Sequence, residues 1–469
     1  MEKIHDKKGK EMQEKISRRR ALKYMAATGA FSGAALSSLR SFAGKGKRAN
    51  IIFILIDDQR WDAMSCAGHP FFKSPNMDRL AKEGVRFSNT FVTTSLCSPS
   101  RACFLTGQYA HRNGVTNNGY QKKPLPKTFL EYLQGADYET AFVGKWHIGG
   151  LREPRPRGVD HLVTFMSQGV YNDCPLYIQG KKVKDKGYIT DRLTDYALEF
   201  LDKPRRKPFC LYLSHKAVHS PMTPPPRFKG LYEGAEVELP PEYGKGGKHE
   251  YNLLHTAVMG MREPKGIIPI IKRYYETLAA VDETLGRVLD YLDESGLAEN
   301  TMVVFAGDNG FFWGEHDLVD KRFAYEESIR IPFLVRCPGL VADPGREIEE
   351  MVLNVDLAPT LLELAGVGVP SSMQGKSFMP LLEGKQNSMR DSFLYEYFRD
   401  RPWPVPPNRA VRTREWKYIT YNKGKMEDEL YYLKEDPREQ NNLIADPAAS
   451  VRKDELKKEM ERLRREIKG

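Results

Sequence analysis

The chain has 469 residues, of which 41% are hydrophobic and 29% charged, with six cysteines. That length fits one large domain with a smaller companion, and the composition excludes a disordered tail, a fibrous array, a multispan membrane protein and a disulfide-built scaffold. The net charge is +10, but residues 1–43 hold ten Lys/Arg against four Asp/Glu and so carry +6 of it. The mild excess that remains, with no nucleic-acid-binding motif, argues against a nucleic-acid binder and suits small anionic substrates.

In chain order, the first predicted element is an address. Ser17-Arg18-Arg19-Arg20-Ala21-Leu22-Lys23 resembles a twin-arginine export signal, and Tyr24 to Leu39 follows without a charge. That run is too short and too rich in Ala, Gly and Ser to span a bilayer stably. Ser41-Phe42-Ala43 sets small residues where a signal peptidase cuts, so residues 1–43 are expected to be removed and the mature chain to begin at Gly44. The address implies the twin-arginine export machinery as a partner, a periplasmic or secreted location, and no stable membrane insertion. The competing reading is a basic amphipathic arm.

Residues 50–56 form a continuous apolar run, the pattern of a strand covered on both faces in a parallel sheet. Similar runs recur at residues 140–143, 209–213, 302–305 and 332–335. Ser74-Pro75 opens a helix over residues 76–83 that Gly84 ends. The strongest helical pattern runs from about residue 270 to 295, with Tyr274, Leu278, Val281, Leu285, Val288 and Leu292 on one face. Residues 221–267 are rich in Pro, Gly and charge and read as an irregular surface excursion. Strands alternating with helices predict an α/β fold, a large mainly parallel sheet sandwiched by helices. After residue 385 the pattern changes to short strands at 409–412, 416–421 and 429–433, the mark of a small antiparallel sheet. Leu456, Met460, Leu463 and Ile467 then sit at helical spacing, as a terminal helix docking on its own domain. The expected division is a main domain over 44–385 and a C-terminal subdomain over 386–469.

Active sites in open α/β sheets form beyond the carboxyl ends of the strands. Two predicted strands end in acids there, one in Asp57-Asp58 and one in Asp308-Asn309. Asp57 and Asp58 can converge only where the strand breaks, because successive strand residues face opposite sides. Three carboxylates and an amide together would need a hard cation, and all-oxygen ligation suits Ca²⁺ or Mg²⁺ better than Zn²⁺. Taken singly, Asp57-Asp58 also reads as a helix cap and Asp308-Asn309-Gly310 as a turn. Pro99 fits the first turn of a helix, which places Cys97 at its N-terminus with Arg101 two residues past the Pro. A nucleophile there would meet an anion held by backbone N–H groups and a guanidinium. A lone Cys reads equally as a small buried hydrophobe.

Cys97-Ser98-Pro99-Ser100-Arg101, followed after three residues by Leu105-Thr106-Gly107, resembles the signature of the formylglycine-dependent sulfatases of the alkaline-phosphatase superfamily. The resemblance extends over the expected mature chain through Asp57-Asp58, Gly144-Lys145-Trp146-His147, His215-Lys216-Ala217-Val218-His219, Asp308-Asn309-Gly310 and Lys321, departing at Val218. Residues 74–80, 109–112 and 310–316 look most like the branch that includes N-acetylglucosamine-6-sulfatases.

The resemblance implies that a formylglycine-generating maturation enzyme oxidises Cys97, and that Asp57, Asp58, Asp308, Asn309 and the modified Cys97 hold Ca²⁺, with Mg²⁺ as the alternative. It implies that one hydroxyl of the aldehyde hydrate attacks sulfur, while Arg101, Lys145 and Lys321 offset charge on the sulfuryl oxygens. His219 is then expected to protonate the leaving oxygen and His147 to take a proton as sulfate departs. The implied substrate is a sulfated carbohydrate. Two further readings compete: a phosphomonoester or phosphonate hydrolase of the same superfamily, and a non-catalytic sulfoglycan-binding protein. Asn309 and the lack of a His cluster near the nucleophile weigh against Zn²⁺ chemistry. His69, His111, His215 and His316 stay unassigned, His316 being expected to shape the substrate pocket.

Overall fold

The computed structural model describes residues 48–119, 123–149, 156–245, 264–401, 403–421 and 426–468. The expected signal segment and its cleavage point lie outside them. Ten strands build the main sheet: β1 (Asn50–Ile56), β2 (Val85–Phe87), β3 (Glu139–Lys145), β4 (His161–Phe165), β5 (Pro175–Ile178), β6 (Lys181–Lys184), β7 (Phe209–Ser214), β8 (Thr301–Gly307), β9 (Phe333–Arg336) and β10 (Glu347–Ile348). Their order across the sheet is β10-β2-β9-β8-β1-β7-β3-β4-β5-β6.

The middle of the sheet is parallel. β1 pairs in parallel with β7 on one side and β8 on the other, and β3 pairs in parallel with β7 and β4. The run at 332–335 belongs instead to an antiparallel strand, since β9 pairs antiparallel with both β8 and β2. An apolar run reports that both faces are covered and carries no direction. β5 and β6 likewise add an antiparallel end to the other edge.

Residue alternation along β1 divides the core into two layers. Ile52, Ile54 and Ile56 pack with α1 (Pro75–Glu83) and the other helices of one face, whereas Ile51, Phe53 and Leu55 pack with Phe104 and Leu105 of α2 (Cys97–Thr106) on the other. The second layer is completed by α3 (Phe129–Gly135), and the first by α4 (Ile189–Leu201) and α5 (Pro264–Glu294). The long helix α5 starts earlier than its periodicity predicts. It takes Pro269 into its interior at the loss of one backbone hydrogen bond, while Ile267 and Ile271 are buried and anchor that stretch. Among residues 221–245 the chain forms turns and no helix or strand, as the composition predicts.

A second sheet follows α6 (Leu357–Leu364). It is a four-stranded antiparallel meander of β11 (Ser392–Tyr397), β12 (Asn408–Thr413), β13 (Trp416–Tyr421) and β14 (Glu429–Tyr432). The terminal helix α7 (Ser450–Lys468) lays Leu456, Met460 and Leu463 on it. Polar groups also tie the meander to the chain around it. Glu396 N–H donates to Thr93 O (2.9 Å), Thr94 Oγ1 donates to Glu396 O (2.8 Å), and Lys417 Nζ reaches Glu326 (2.8 Å) and Glu439 (2.7 Å).

One glycine fixes the approach of β3 to β7. Gly144 has φ of +119°, and a Cβ there would stand 1.8 Å from the backbone oxygen of Ser214. No flexible side chain can move aside to relieve that overlap. Gly144→Ala is therefore expected to cost about 3 kcal/mol in urea unfolding, at the upper end of overpacking penalties, and to displace the neighbouring Lys145.

Candidate active site

The carboxyl ends of β1, β3, β7 and β8 lie side by side in the sheet and carry most of the expected residues. Asp58 has φ of 58°, so the chain turns immediately after β1. Asp57 N–H donates to Ala217 O (2.9 Å), Asp58 N–H to Asp308 Oδ1 (3.0 Å), and Asp308 N–H to Ile56 O (2.9 Å). Neighbouring acids that a regular strand would point to opposite faces thus converge with the acid at the end of β8. One carboxylate oxygen each of Asp57, Asp58 and Asp308 lies within 4.8 Å of the others.

Each carboxylate has its own cation. Lys145 Nζ contacts Asp57 Oδ2, and Lys321 Nζ contacts Asp58 Oδ1. Arg101 Nε and Nη2 meet Asp308 Oδ2 at 2.9 and 2.8 Å. The guanidinium is held from behind as well, with Nη1 donating to Lys145 O (2.8 Å) and Ser214 Oγ (2.6 Å). Burial pushes the Asp57 carboxyl up, but Lys145, His219, Arg101 and Lys321 outweigh it and hold the group well below the usual carboxylate range. Burial and the charge of Asp57 push Asp308 up to about 7 in spite of Arg101. Burial opposes the charged form of Lys321, yet Asp58 beside it keeps the ammonium's pKa well above its ordinary value.

Cys97 opens α2 and shows no exposed surface. Its Sγ lies 3.3 Å from Lys321 Nζ and 3.6 Å from Asp57 Oδ1. Burial pushes the thiol up to about 12 against the pull of Lys321, so at neutral pH it stays protonated. The two expected proton carriers stand in the same region. His219 Nε2 is 3.9 Å from Asp58 Oδ2, and its Nδ1 is 2.8 Å from Ser220 O. His147 has φ of 53° and lies 3.4 Å through Nδ1 from Ser98 Oγ, the residue after Cys97. Burial and Lys145 hold its imidazole well below the ordinary histidine value, and burial lowers His219 to about 4.

The set fits a hard divalent cation. Its donors are all oxygens. Asn309 Nδ2 donates to Asp58 Oδ1 (2.7 Å) and Gly310 O (2.9 Å), which leaves Asn309 Oδ1 buried with no hydrogen-bond partner among the described residues. A cation held there would satisfy this carbonyl and offset the three crowded carboxylates.

All ten expected site residues therefore occupy one region. The remaining histidines divide differently. His316 stacks flat on Tyr325 (3.8 Å) with Nε2 3.6 Å from Glu327 Oε2, a packing arrangement, and His111 pairs with Glu396 at 2.5 Å. His69 joins the Phe71 and Tyr275 rings, and His215 is buried beside β1. The sequence reading missed Ser214, which bridges Arg101 to Lys145 O, and Gln168, whose Oε1 accepts from Lys145 Nζ. Ser214 stands at a strand's carboxyl end, the position rule that exposed the acids; Gln168 carries no such signal.

A parallel sheet whose strand ends gather an oxygen-donor cluster, three buried cations and a helix-capped thiol has the architecture of a hydrolase for anionic esters. Comparison with known proteins narrows this class. The sulfatase family profile matches residues 49–367, and that of the N-sulphoglucosamine sulphohydrolase C-terminal region matches 314–466. The chain belongs to the sulfatase family and is a sulfuric ester hydrolase. An N-acetylglucosamine-6-O-sulfatase of Bacteroides thetaiotaomicron is 34% identical, over 90% of this chain and 87% of its own. Human N-acetylglucosamine-6-sulfatase is 31% identical, over 75% of this chain and 67% of its own. A solved protein in complex with its substrate D-glucosamine-2-N,6-O-disulfate superposes with a TM-score of 0.82 at 33% identity, covering 90% of this chain and 98% of that one.

A cation held by this cluster would compete with a proton for Asp308. With its carboxyl raised to about 7, the metal-free protein holds that proton below neutrality, where an unfolded Asp would already be ionised. Added Ca²⁺ should therefore raise the melting temperature more at about pH 7.5 than at about pH 5.5, because no proton has to be expelled at the higher pH. In Asp308→Asn the difference between the two pH values should vanish.

Proposed function

We propose that this chain hydrolyses sulfate monoesters of carbohydrates, N-acetylglucosamine-6-sulfate or related glycosaminoglycan units, with formylglycine made from Cys97 and with Ca²⁺, or alternatively Mg²⁺. The observation that carries the reading is the placement of Cys97 Sγ, 3.3 Å from Lys321 Nζ and 3.6 Å from Asp57 Oδ1, in a chain of the sulfatase family. The relatives' named substrates point the same way. A thiol pushed up to about 12 is a weak nucleophile at neutral pH, which favours a modified residue over the thiol itself.

Asp57, Asp58, Asp308 and Asn309 would hold the cation together with residue 97. Formylglycine supplies a hydrated aldehyde, hence an oxygen nucleophile with a second hydroxyl for its own regeneration, and Ca²⁺ supplies positive charge at the sulfuryl oxygens. The chain's own groups do the rest. Lys145, Lys321 and Arg101 set fixed positive charge around the reacting group in a buried site, where preorganised charge acts most strongly. His147, held neutral, accepts the proton released when sulfate leaves. His219 carries the proton for the departing sugar oxygen on Nε2, its Nδ1 facing Ser220 O. The negative charge of a bound sulfate ester raises its affinity for that proton.

The same reading assigns residues 1–43 to a twin-arginine signal that exports the folded enzyme to the periplasm or beyond, and the maturation of Cys97 to a formylglycine-generating enzyme acting before export. It also takes 44–385 as the catalytic domain and 386–469 as a C-terminal subdomain.

Two measurements test it. Peptide mass spectrometry of enzyme coexpressed with a maturation enzyme should find an aldehyde at position 97, and full activity with thiol alone would overturn the proposal. His219→Ala should lose about 10²–10⁴-fold in kcat/KM on a sulfated sugar, whose alkoxide needs protonation, and clearly less on a nitrophenyl sulfate.

A further inference from the structure

The His219 segment lacks a secondary structure of its own. Residues 219–223 follow β7 as a loop, and Pro221 within it has no N–H to give. Three side chains hold its backbone carbonyls, two from distant segments and one, Lys216, from the same loop. Tyr171 OH donates to His219 O at 2.6 Å, Lys216 Nζ to Ser220 O at 3.3 Å, and Tyr188 OH to Thr223 O at 2.9 Å. The three holders are joined to one another. The Tyr171 and Tyr188 rings stack with centroids 5.8 Å apart at 18°, and the Lys216 ammonium sits 4.8 Å over the Tyr171 ring. All three are buried, and Ile189 N–H donates to Tyr171 O (2.7 Å), tying the bracket to the start of α4.

This arrangement is unlike the rest of the site. The acids and cations are placed by strand ends and by α2, whereas His219 follows a loop that Asp57 anchors at Ala217 O (2.9 Å) and Val218 N–H (2.7 Å), and within 219–223 the one main-chain bond among the described residues is His219 N–H to Lys216 O (3.1 Å). Its ring must nevertheless present Nε2 in one direction while Nδ1 faces Ser220 O. A backbone carbonyl fixed at 2.6 Å by a phenol removes the freedom that the loop would otherwise have.

We propose that Tyr171, Tyr188 and Lys216 form a bracket that positions His219 toward the leaving-group oxygen, with Tyr171 as its principal contact. These are positioning residues, acting through His219 and not on the substrate. The proposal rests on the reading of His219 as the general acid.

The bracket makes a demand that a merely structural role does not. Tyr171→Phe keeps the ring, its stacking on Tyr188 and its contact with Lys216, and removes one hydroxyl. It should lower kcat/KM on a sulfated sugar by about tenfold, the scale of a small misplacement of a catalytic group, and change nitrophenyl sulfate turnover by less than about threefold. KM for the sugar should stay unchanged, and the variant should melt within about 4 °C of the parent. In the His219→Ala background the same substitution should cost nothing further, since the group it positions is gone. Lys216→Met should shift the sugar-to-aryl ratio in the same direction, and serves if Tyr171→Phe fails to fold. Equal loss on both substrates, or a loss that adds to that of His219→Ala, would overturn the bracket while leaving His219 as the acid. Equal losses for His219→Ala itself would overturn the general-acid reading and the bracket with it.

Discussion

Carboxylates crowded at the ends of adjacent strands repel one another, and burial makes that repulsion stronger. Asp57, Asp58 and Asp308 are in that position, at the ends of β1 and β8, the two strands at the heart of the sheet. Much of the surrounding structure follows from the need to bring positive charge to each of them. Arg101 comes from α2 on one face, Lys145 from the end of β3, and Lys321 from the chain between β8 and β9. Each arrives from a separate element, so the charge balance of the site depends on the whole sheet being assembled. Asn309 Oδ1, buried beside them without a hydrogen-bond partner among the described residues, adds one more oxygen to the same cluster.

This dependence also explains the strain near the centre. Asp58 and His147 adopt positive φ without being glycine. Such conformations persist only where the surroundings over-determine them. At Asp58 the surroundings are the hydrogen bond to Asp308 Oδ1 and the Tyr274 hydroxyl, which donates to Asp58 O at 3.0 Å. At His147 the Ser98 hydroxyl donates to the backbone oxygen.

The sequence made the sheet legible because buried parallel strands are uninterrupted apolar runs, as in Ile51 to Ile56. It made the acids legible because they stand where such runs stop. Direction was hidden in the run at 332–335, since covering both faces of a strand says nothing of which neighbour it meets. The first turns of α5 were hidden by Pro264 and Pro269, local signals that burial of Ile267 and Ile271 overrides. β11 escaped notice because Phe393, Leu394, Tyr395 and Tyr397 are all buried and give no alternation to read. In the site, residues with a motif around them were visible, and those that matter through a single long-range contact were not. Gln168 and Tyr171 belong to the latter group; each is an ordinary loop residue until the fold sets it beside Lys145 or His219.

The meander closes over the back of the Cys97 segment. Ser95 N–H donates to the Tyr395 hydroxyl across 300 residues of chain (3.3 Å), and the same hydroxyl donates to Arg322 O (2.9 Å), next to Lys321. One phenol thus ties the approach to Cys97 to the loop that carries its nearest cation. Cys97 itself shows no exposed surface. Lys321, whose Nζ stands 3.3 Å from Cys97 Sγ, and Tyr395, which grips the chain at Ser95, are both encoded far downstream of residue 97. The surroundings of residue 97 are thus a product of the finished chain, and a change that loosens the C-terminal sheet at Tyr395 would loosen the Lys321 loop with it.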